Sequence, residues 1–279
     1  MSARTRRATG RVLLNLAAVV VFVCSVFPVY WMVNTSFLPG SAVKSETPHF
    51  WPDQFTLQSF RAAWDGGFMP ALWISLAVTV LTVAAALVFA FLAAIAISRY
   101  RFRSRKSFIV AILVIQMIPA EAMIISTFRV LDGWHLLNTV IGLSAVYIAM
   151  VLPFTIWTLR GFVGGIPADL EDAAMIDGCS RGQAFWRVTF PLLAPGLVST
   201  GIFAFIQAWN EFIFALVIMT RPEAETLPIW LRSFVQATKA TDWAVVMAGS
   251  TLMAIPVIVF FLIVQGKMTS GLVSGAVKG

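Results

Sequence analysis

The chain has 279 residues, of which 59% are hydrophobic and 12% charged, with a net charge of +7 and a pI near 10.0. Soluble domains carry about 25% charged residues. Half that share cannot cover a water-facing globule, so a soluble protein is excluded and the bilayer is the expected solvent.

A span needs about 20 apolar residues to cross a ~30 Å hydrocarbon core. Six runs meet that need, at 12–36, 70–97, 108–128, 140–159, 195–219 and 243–264. They predict an all-α integral membrane protein with an N-terminal segment 1–11, a six-span domain 12–264 and a C-terminal tail 265–279. Arg4, Arg6 and Arg7 precede the first run as in a secretory signal, but the run is too long and lacks a small-residue cleavage site, so it reads as a span. With the N-terminus inside, internal segments hold 14 of the 20 Lys and Arg and external ones 6. Cytoplasmic loops carry that excess, so both termini are predicted to be cytoplasmic. The run Arg99 to Lys106 anchors the second and third spans on that side. The bias explains the basic pI with lipid as the partner and no nucleic acid.

The external segment 37–69 contains Pro39, Gly40, Pro48, Pro52, Gly66 and Gly67 and reads as loop, with a short helix around Phe55 to Trp64. Trp51, Trp64, Trp73, Trp134, Trp230 and Trp243 lie near outer span ends, where an amphipathic ring suits the headgroup zone. In the third span, Glu121 follows Pro119, with Gln116 about a turn and a half earlier. Intramembrane polar groups are costly and face a bundle interior or a watery cavity, so Gln116 and Glu121 are candidates for a solute path.

The internal loop 160–191 is polar and punctuated, unlike its surroundings. Pro167 suits a first helical position, and Asp169, Glu171 and Asp172 crowd the first turns, where the helix dipole favours negative charge. Asp177 and Gly178 end this short helix, with Gly178 free to take the left-handed conformation. Ser180 and Gln183 have capping-box spacing and start a second helix, with Ala184, Phe185 and Val188 on one side and Pro191 as its end. Ala173 and Ala174 leave a small surface ringed by carboxylates that suits a partner's groove. A helix lying on lipid would instead carry Lys and Arg. In the fifth span, Gln207, Asn210 and Glu211 fall at i, i+3 and i+4 and share a face. They are also path candidates, with interhelical hydrogen bonding as the alternative role.

Asp172-Ala173-Ala174, three residues, Gly178, nine residues and Val188-Thr189-Phe190-Pro191 resemble the EAA loop of permease subunits in binding-protein-dependent ABC importers. That motif reads E-A-A, three residues, G, nine residues, I-x-L-P. The departures are Asp172 for Glu, Val188 for Ile and Phe190 for Leu. MIPAEAMI (Met117 to Ile124), LPFTIWTLRGF (Leu152 to Phe162), AWNEFIFAL (Ala208 to Leu216) and GLVSGAVKG (Gly271 to Gly279) extend the resemblance to the maltose-permease-type subunit of carbohydrate importers. The resemblance implies a bacterial inner-membrane complex of two permeases, two cytoplasmic ATPase subunits that bind ATP and magnesium, and an external solute-binding protein that delivers a sugar. It also implies that the loop couples to the ATPase, through Glu171, Asp172, Ala173, Ala174, Asp177, Gly178, Ser180, Phe185 and Pro191. The tail, through Gly271, Gly275, Lys278 and Gly279, is implied to reach the ATPase interface, whereas composition alone reads it as a flexible end.

The chain holds no G-x-x-x-x-G-K-[ST] run, so ATP hydrolysis is expected in another chain. His49 and His135 stand in separate loops, and Cys24 and Cys179 are far apart, so neither a metal centre nor a disulfide is expected. No cofactor is expected in this chain. A permease for another polyol-like solute such as a glycerophosphodiester is the alternative function. A self-sufficient secondary transporter would call for inverted repeats, and an intramembrane enzyme for a catalytic constellation that the chain does not display.

Overall fold

A computed structural model describes residues 3–235 and 241–276, with side chains placed for residue 11, residues 13–235 and residues 241–266. The described residues form helices and turns with no strand among them. They fall into two compact units, Met1–Phe68 with Leu231–Ile255, and Met69–Trp230 with Pro256–Gly279.

The first unit contains α1 (Ala3–Ser36), α2 (Gly40–Val43), α3 (Gln58–Ala63) and a kink at Trp64–Phe68, where Gly67 takes φ +93°. Leu13, Leu14, Val21 and Phe22 of α1 are all exposed, as expected of a helix made to sit in an apolar medium. Its polar end behaves differently. Asn34, Thr35 and Ser36 are buried, Asn34 donates its amide to His49 O at 2.7 Å, and the Tyr30 hydroxyl donates to Phe50 O. Phe37 packs on Phe55 and Phe60 at 5.0 and 4.9 Å between ring centroids, so the proline-rich segment is tied down by aromatic packing. The helix expected near Phe55 to Trp64 is α3, which spans Gln58–Ala63 and buries Ser59 and Ala63.

The second unit is built on α4 (Met69–Arg99), α7 (Val140–Gly165) and α10 (Phe190–Asn210), which pack on one another. The buried stripe of α4 includes Ala86, Ala90 and Ala94 at four-residue spacing, and α10 contributes Gly196, Gly201 and Ala204. Small residues let backbones approach closely where lipid offers no hydrophobic drive between helices. A Cβ on Gly196 would lie 2.6 Å from Phe162 Cγ, so glycine is required at that crossing. Thr155 and Thr200 satisfy their buried hydroxyls on the carbonyls of Val151 and Gly196, one turn back, at 2.7 and 2.8 Å.

Five described helices are long and apolar enough to cross a membrane, and a bent pair supplies a sixth crossing if counted as one. That pair corrects the third predicted span. Instead of one helix over 108–128, α5 (Arg105–Gln116) stops, Ala120–Met123 forms a 3₁₀ turn, and α6 (Ile124–Gly133) leaves at 89°. Pro119 explains the break, since it lacks an N–H and disfavours helical geometry at Ile118. The fifth span is broken too: α10 ends at Asn210 and α11 (Ile213–Ile218) restarts after Glu211 and Phe212. α7 and α13 (Trp243–Ala276) outrun their predicted ends at 159 and 264. Apolar run length marks the reach of hydrocarbon, whereas a helix continues until its hydrogen bonding is interrupted. Gly271 and Gly275 therefore lie in helix rather than in a flexible tail, while Lys278 and Gly279 lie outside the described residues. Trp230, expected in the headgroup zone, is 2% exposed within α12 (Leu227–Ser233), whose Leu227 N–H donates to Ser75 Oγ at 2.7 Å. Cys24 and Cys179 are both free thiols.

Candidate functional site

Two features of the second unit gather the sequence candidates. The first is a hairpin between α7 and α10. Ile166 is extended, as the residue before Pro167 must be, and it ends α7. α8 (Asp169–Ile176) follows with Ala168 as its cap, so Pro167 stands just outside the helix rather than at its first position. Its end is a complete Schellman motif. Cys179 N–H donates to Ala174 O at 3.0 Å and Gly178 N–H to Met175 O at 3.1 Å, with Gly178 at φ +89°. α9 (Arg181–Ala184) starts with the expected capping box: Gln183 N–H donates to Ser180 Oγ at 3.3 Å, and Ser180 N–H donates to Gln183 Oε1 at 2.9 Å.

The hairpin corrects one expectation and adds inward contacts for two of the coupling candidates. Pro191 does not end the second helix. A π turn at Phe185–Thr189 carries the chain from α9 into α10, and Pro191 lies in the first turn of α10. The widened turn absorbs a ring that would collide with the carbonyl four residues back in a regular α-helix. Phe185 is half-buried, with its ring 5.9 Å from Phe91 and 5.5 Å from Trp186, and is used in packing. Glu171 also turns inward: its Oε1 lies 3.1 Å from Arg99 Nη2 and accepts the Thr189 hydroxyl at 2.6 Å. Asp169, Asp172 and Asp177 remain exposed, with Ala173, and Ala174 is half-buried. No residue of α8 is buried. Ile176, which the sequence places with Leu170, Ala173 and Ala174 on a modest apolar side of this helix, is 87% exposed near the tip.

The second feature is a cavity of about 1160 Å³. Gln116, Glu121, Gln207, Asn210 and Glu211 all line it, together with Ser126, Thr127, Trp134 and Tyr147. Both helix breaks open onto it, which is why candidates from spans three and five meet. Gln116, Glu121, Gln207 and Asn210 are exposed. Glu211 is different, and it is not on a continuous helical face with Gln207. Its Oε1 accepts Phe214 N–H at 2.9 Å, and its Oε2 accepts Ala215 N–H at 3.1 Å and the buried Tyr147 hydroxyl at 2.7 Å. The carboxylate thus caps the first turn of α11 and holds it to α7, where a helix dipole favours negative charge. Asn210 lines the cavity and donates its amide to Ile206 O at 2.9 Å. Trp134, one of the expected headgroup-zone tryptophans, lines the cavity and is 69% exposed. No group of three or more His, Cys, Asp or Glu suited to a metal occurs among the described residues.

Comparison with known proteins places these features in context. Residues 86–274 match the family described as binding-protein-dependent transport system inner membrane component. The diacetylchitobiose uptake system permease protein DasC of Streptomyces coelicolor is 46% identical over 98% of this chain and 99% of its own. The trehalose transport system permease protein SugB of Mycobacterium tuberculosis is 37% identical over 91% and 93%. The trehalose/maltose transport system permease protein MalG of Thermococcus litoralis is 32% identical over 96% and 97%. Among solved structures, a chain of a bacterial ABC transporter involved in import of the acidic polysaccharide alginate shares the fold, with a TM-score of 0.79, 24% identity, and coverage of 95% of this chain and 98% of that one. A hairpin with alanines and a left-handed glycine, on a helical membrane scaffold whose cavity carries a few polar groups, is accordingly that of a multi-pass inner-membrane component of a binding-protein-dependent transport system, and the chain belongs to that family.

Proposed function

We propose that this chain is the permease subunit of a carbohydrate ABC importer. It forms the solute path with a second permease, receives a sugar from an external binding protein, and takes its drive from two ATPase subunits that hold ATP and magnesium. The observation that carries the reading is the convergence of Gln116, Glu121, Gln207 and Asn210 on one cavity, with the Trp134 ring on its wall. Amide and carboxylate groups answer the hydroxyls of a sugar, and an aromatic face answers its C–H surface. The relatives named for diacetylchitobiose and trehalose support a disaccharide or short oligosaccharide as the cargo.

In this reading the exposed α8 face, with Asp172, Ala173 and Gly178, docks in a groove of the ATPase subunit, and both termini are cytoplasmic. Labelling of single cysteines in intact cells tests the orientation. A cysteine at the exposed Gln54 reacts with an impermeant maleimide from outside, and one at the exposed Ser104 does not. For cargo, a strain lacking the chain is complemented and given labelled diacetylchitobiose and labelled trehalose. Restored uptake of either supports the proposal. Failure to restore uptake of these or of longer oligosaccharides, in a complex that still assembles, overturns it.

A further inference from the structure

The π-turn arm of the hairpin packs on α4 through Phe185 and Phe91, whereas α8 has few inward contacts of its own. α8 has no fully buried residue, and half-buried Ala174 and Met175 are its main apolar contribution. Its inward polar contact is Glu171, whose side chain is 19% exposed and pairs with Arg99 at the last residue of α4 at 3.1 Å. The same Oε1 accepts the hydroxyl of the buried Thr189 at 2.6 Å, at the end of the π turn that leads into α10. Nε and Nη2 of Arg99 are shielded from solvent. A shielded guanidinium that loses its carboxylate is left as an uncompensated charge, which is far costlier than the intact pair is stabilising.

We propose that Glu171 is a positioning residue for coupling: a tether that passes displacement of the docking helix α8 to α4 through Arg99 and to α10 through Thr189. This rests on the reading that α8 docks on an ATPase, but it assigns Glu171 a different task from its neighbour Asp172. Asp172 faces outward to the partner, and Glu171 faces inward to the spans. The three groups share one oxygen, so α8 cannot move independently of both helices while the cluster is intact. α4 and α10 are also two of the three helices of the central packing, and α10 ends at the cavity residues Gln207 and Asn210.

The test uses the whole complex purified from membranes with its ATPase subunits. Cys24 and Cys179 are replaced by serine, and a reporter cysteine is placed at Ser126, which lines the cavity. Two quantities are read: the ATPase subunit retained per permease, and the change in maleimide labelling at the reporter on adding a non-hydrolysable ATP analogue with magnesium. In Glu171→Gln the ATPase subunit is retained while the nucleotide response falls at least about fivefold, the low end of a usual coupling between sites. Thr189→Val, which keeps the ion pair and the shape, gives a smaller loss, and the exchange Arg99→Glu with Glu171→Arg restores the response. A full response in Glu171→Gln overturns the tether. Loss of the ATPase subunit in Glu171→Gln, unrescued by the exchange, also overturns it, because Glu171 would then be a docking residue and the coupling reading would stand. No ATPase subunit on the unaltered permease would bring down the coupling reading and the tether together.

Discussion

Glu211 and Glu171 are both acidic residues beside a helix break, yet their surroundings differ. Glu211 is met by dipoles: two backbone N–H groups at the start of α11 and one phenol. Glu171 is met by a full positive charge and one hydroxyl. The comparison teaches that a carboxylate can be held in this fold in two ways. One closes a broken span on itself with directional hydrogen bonds, and the other joins separate elements by charge. The first depends on acceptor geometry, and the second depends on charge.

The largest effect is expected from Glu211→Ala. It uncaps α11, a loss of about 1 kcal/mol, and leaves the buried Tyr147 hydroxyl only the long 3.5 Å contact to the residue's backbone carbonyl in place of the 2.7 Å carboxylate acceptor, a further cost of about 1–3 kcal/mol. A lowered melting temperature of the detergent-solubilised permease, with uptake lost, is the expected result, and unchanged melting would remove Glu211 from its capping role. Glu211→Gln sharpens the contrast, since its one amide oxygen, placed as Oε2 is, still accepts Ala215 N–H and the Tyr147 hydroxyl and only the bond from Phe214 N–H is lost. It keeps most of the melting temperature, whereas the same change at Glu171 loses the nucleotide response. Equal tolerance at both sites would dissolve the comparison.

Gly178→Val comes next. The space around Gly178 is open, with nothing within 4 Å of an added Cβ, so its cost lies in the backbone at φ +89°. A side chain in the left-handed region costs about 1–2 kcal/mol. Normal membrane insertion and melting with loss of ATPase co-purification are expected. Full sugar uptake by this variant would show that the hairpin is not the coupling element. The smallest effect belongs to Ser180→Ala, which removes the hydroxyl of the capping box for about 1 kcal/mol. α9 runs on into the π turn and α10, so the loss is buffered. A modest decrease in uptake with unchanged assembly is expected, and complete loss would point to direct contact by Ser180 with a partner.

The spans were legible because hydrocarbon imposes a length on apolar runs, and the hairpin because its caps are local. Ser180 with Gln183, and Gly178 after Asp177, need no tertiary partner to declare themselves. What escaped the sequence reading depended on contacts distant along the chain. Glu171 looks like its neighbours until Arg99, 72 residues earlier, is brought beside it. Glu211 looks like a side chain on a helical face until the helix stops at Asn210 and the carboxylate folds onto Phe214. Pro191 carried a stop signal that a widened turn overrode. The burial of Trp230 follows from packing of α12 that its composition does not announce. Convergence of Gln116 and Glu121 with Gln207 and Asn210 required both helix breaks.

The π turn at Phe185–Thr189 has a consequence for the register of everything after it. An α-helix advances about 100° and 1.5 Å per residue, so a turn holding one residue more than usual resets the angular phase between the hairpin and α10. Winding the same residues as ordinary α-helix, with none removed, would rotate α10 by roughly 100° relative to α8. Gln207 and Asn210 would swing away from the cavity without any change to their own sequence. The widened turn therefore serves as the indexing step that lets one continuous stretch, Arg181–Asn210, aim its two ends in independent directions.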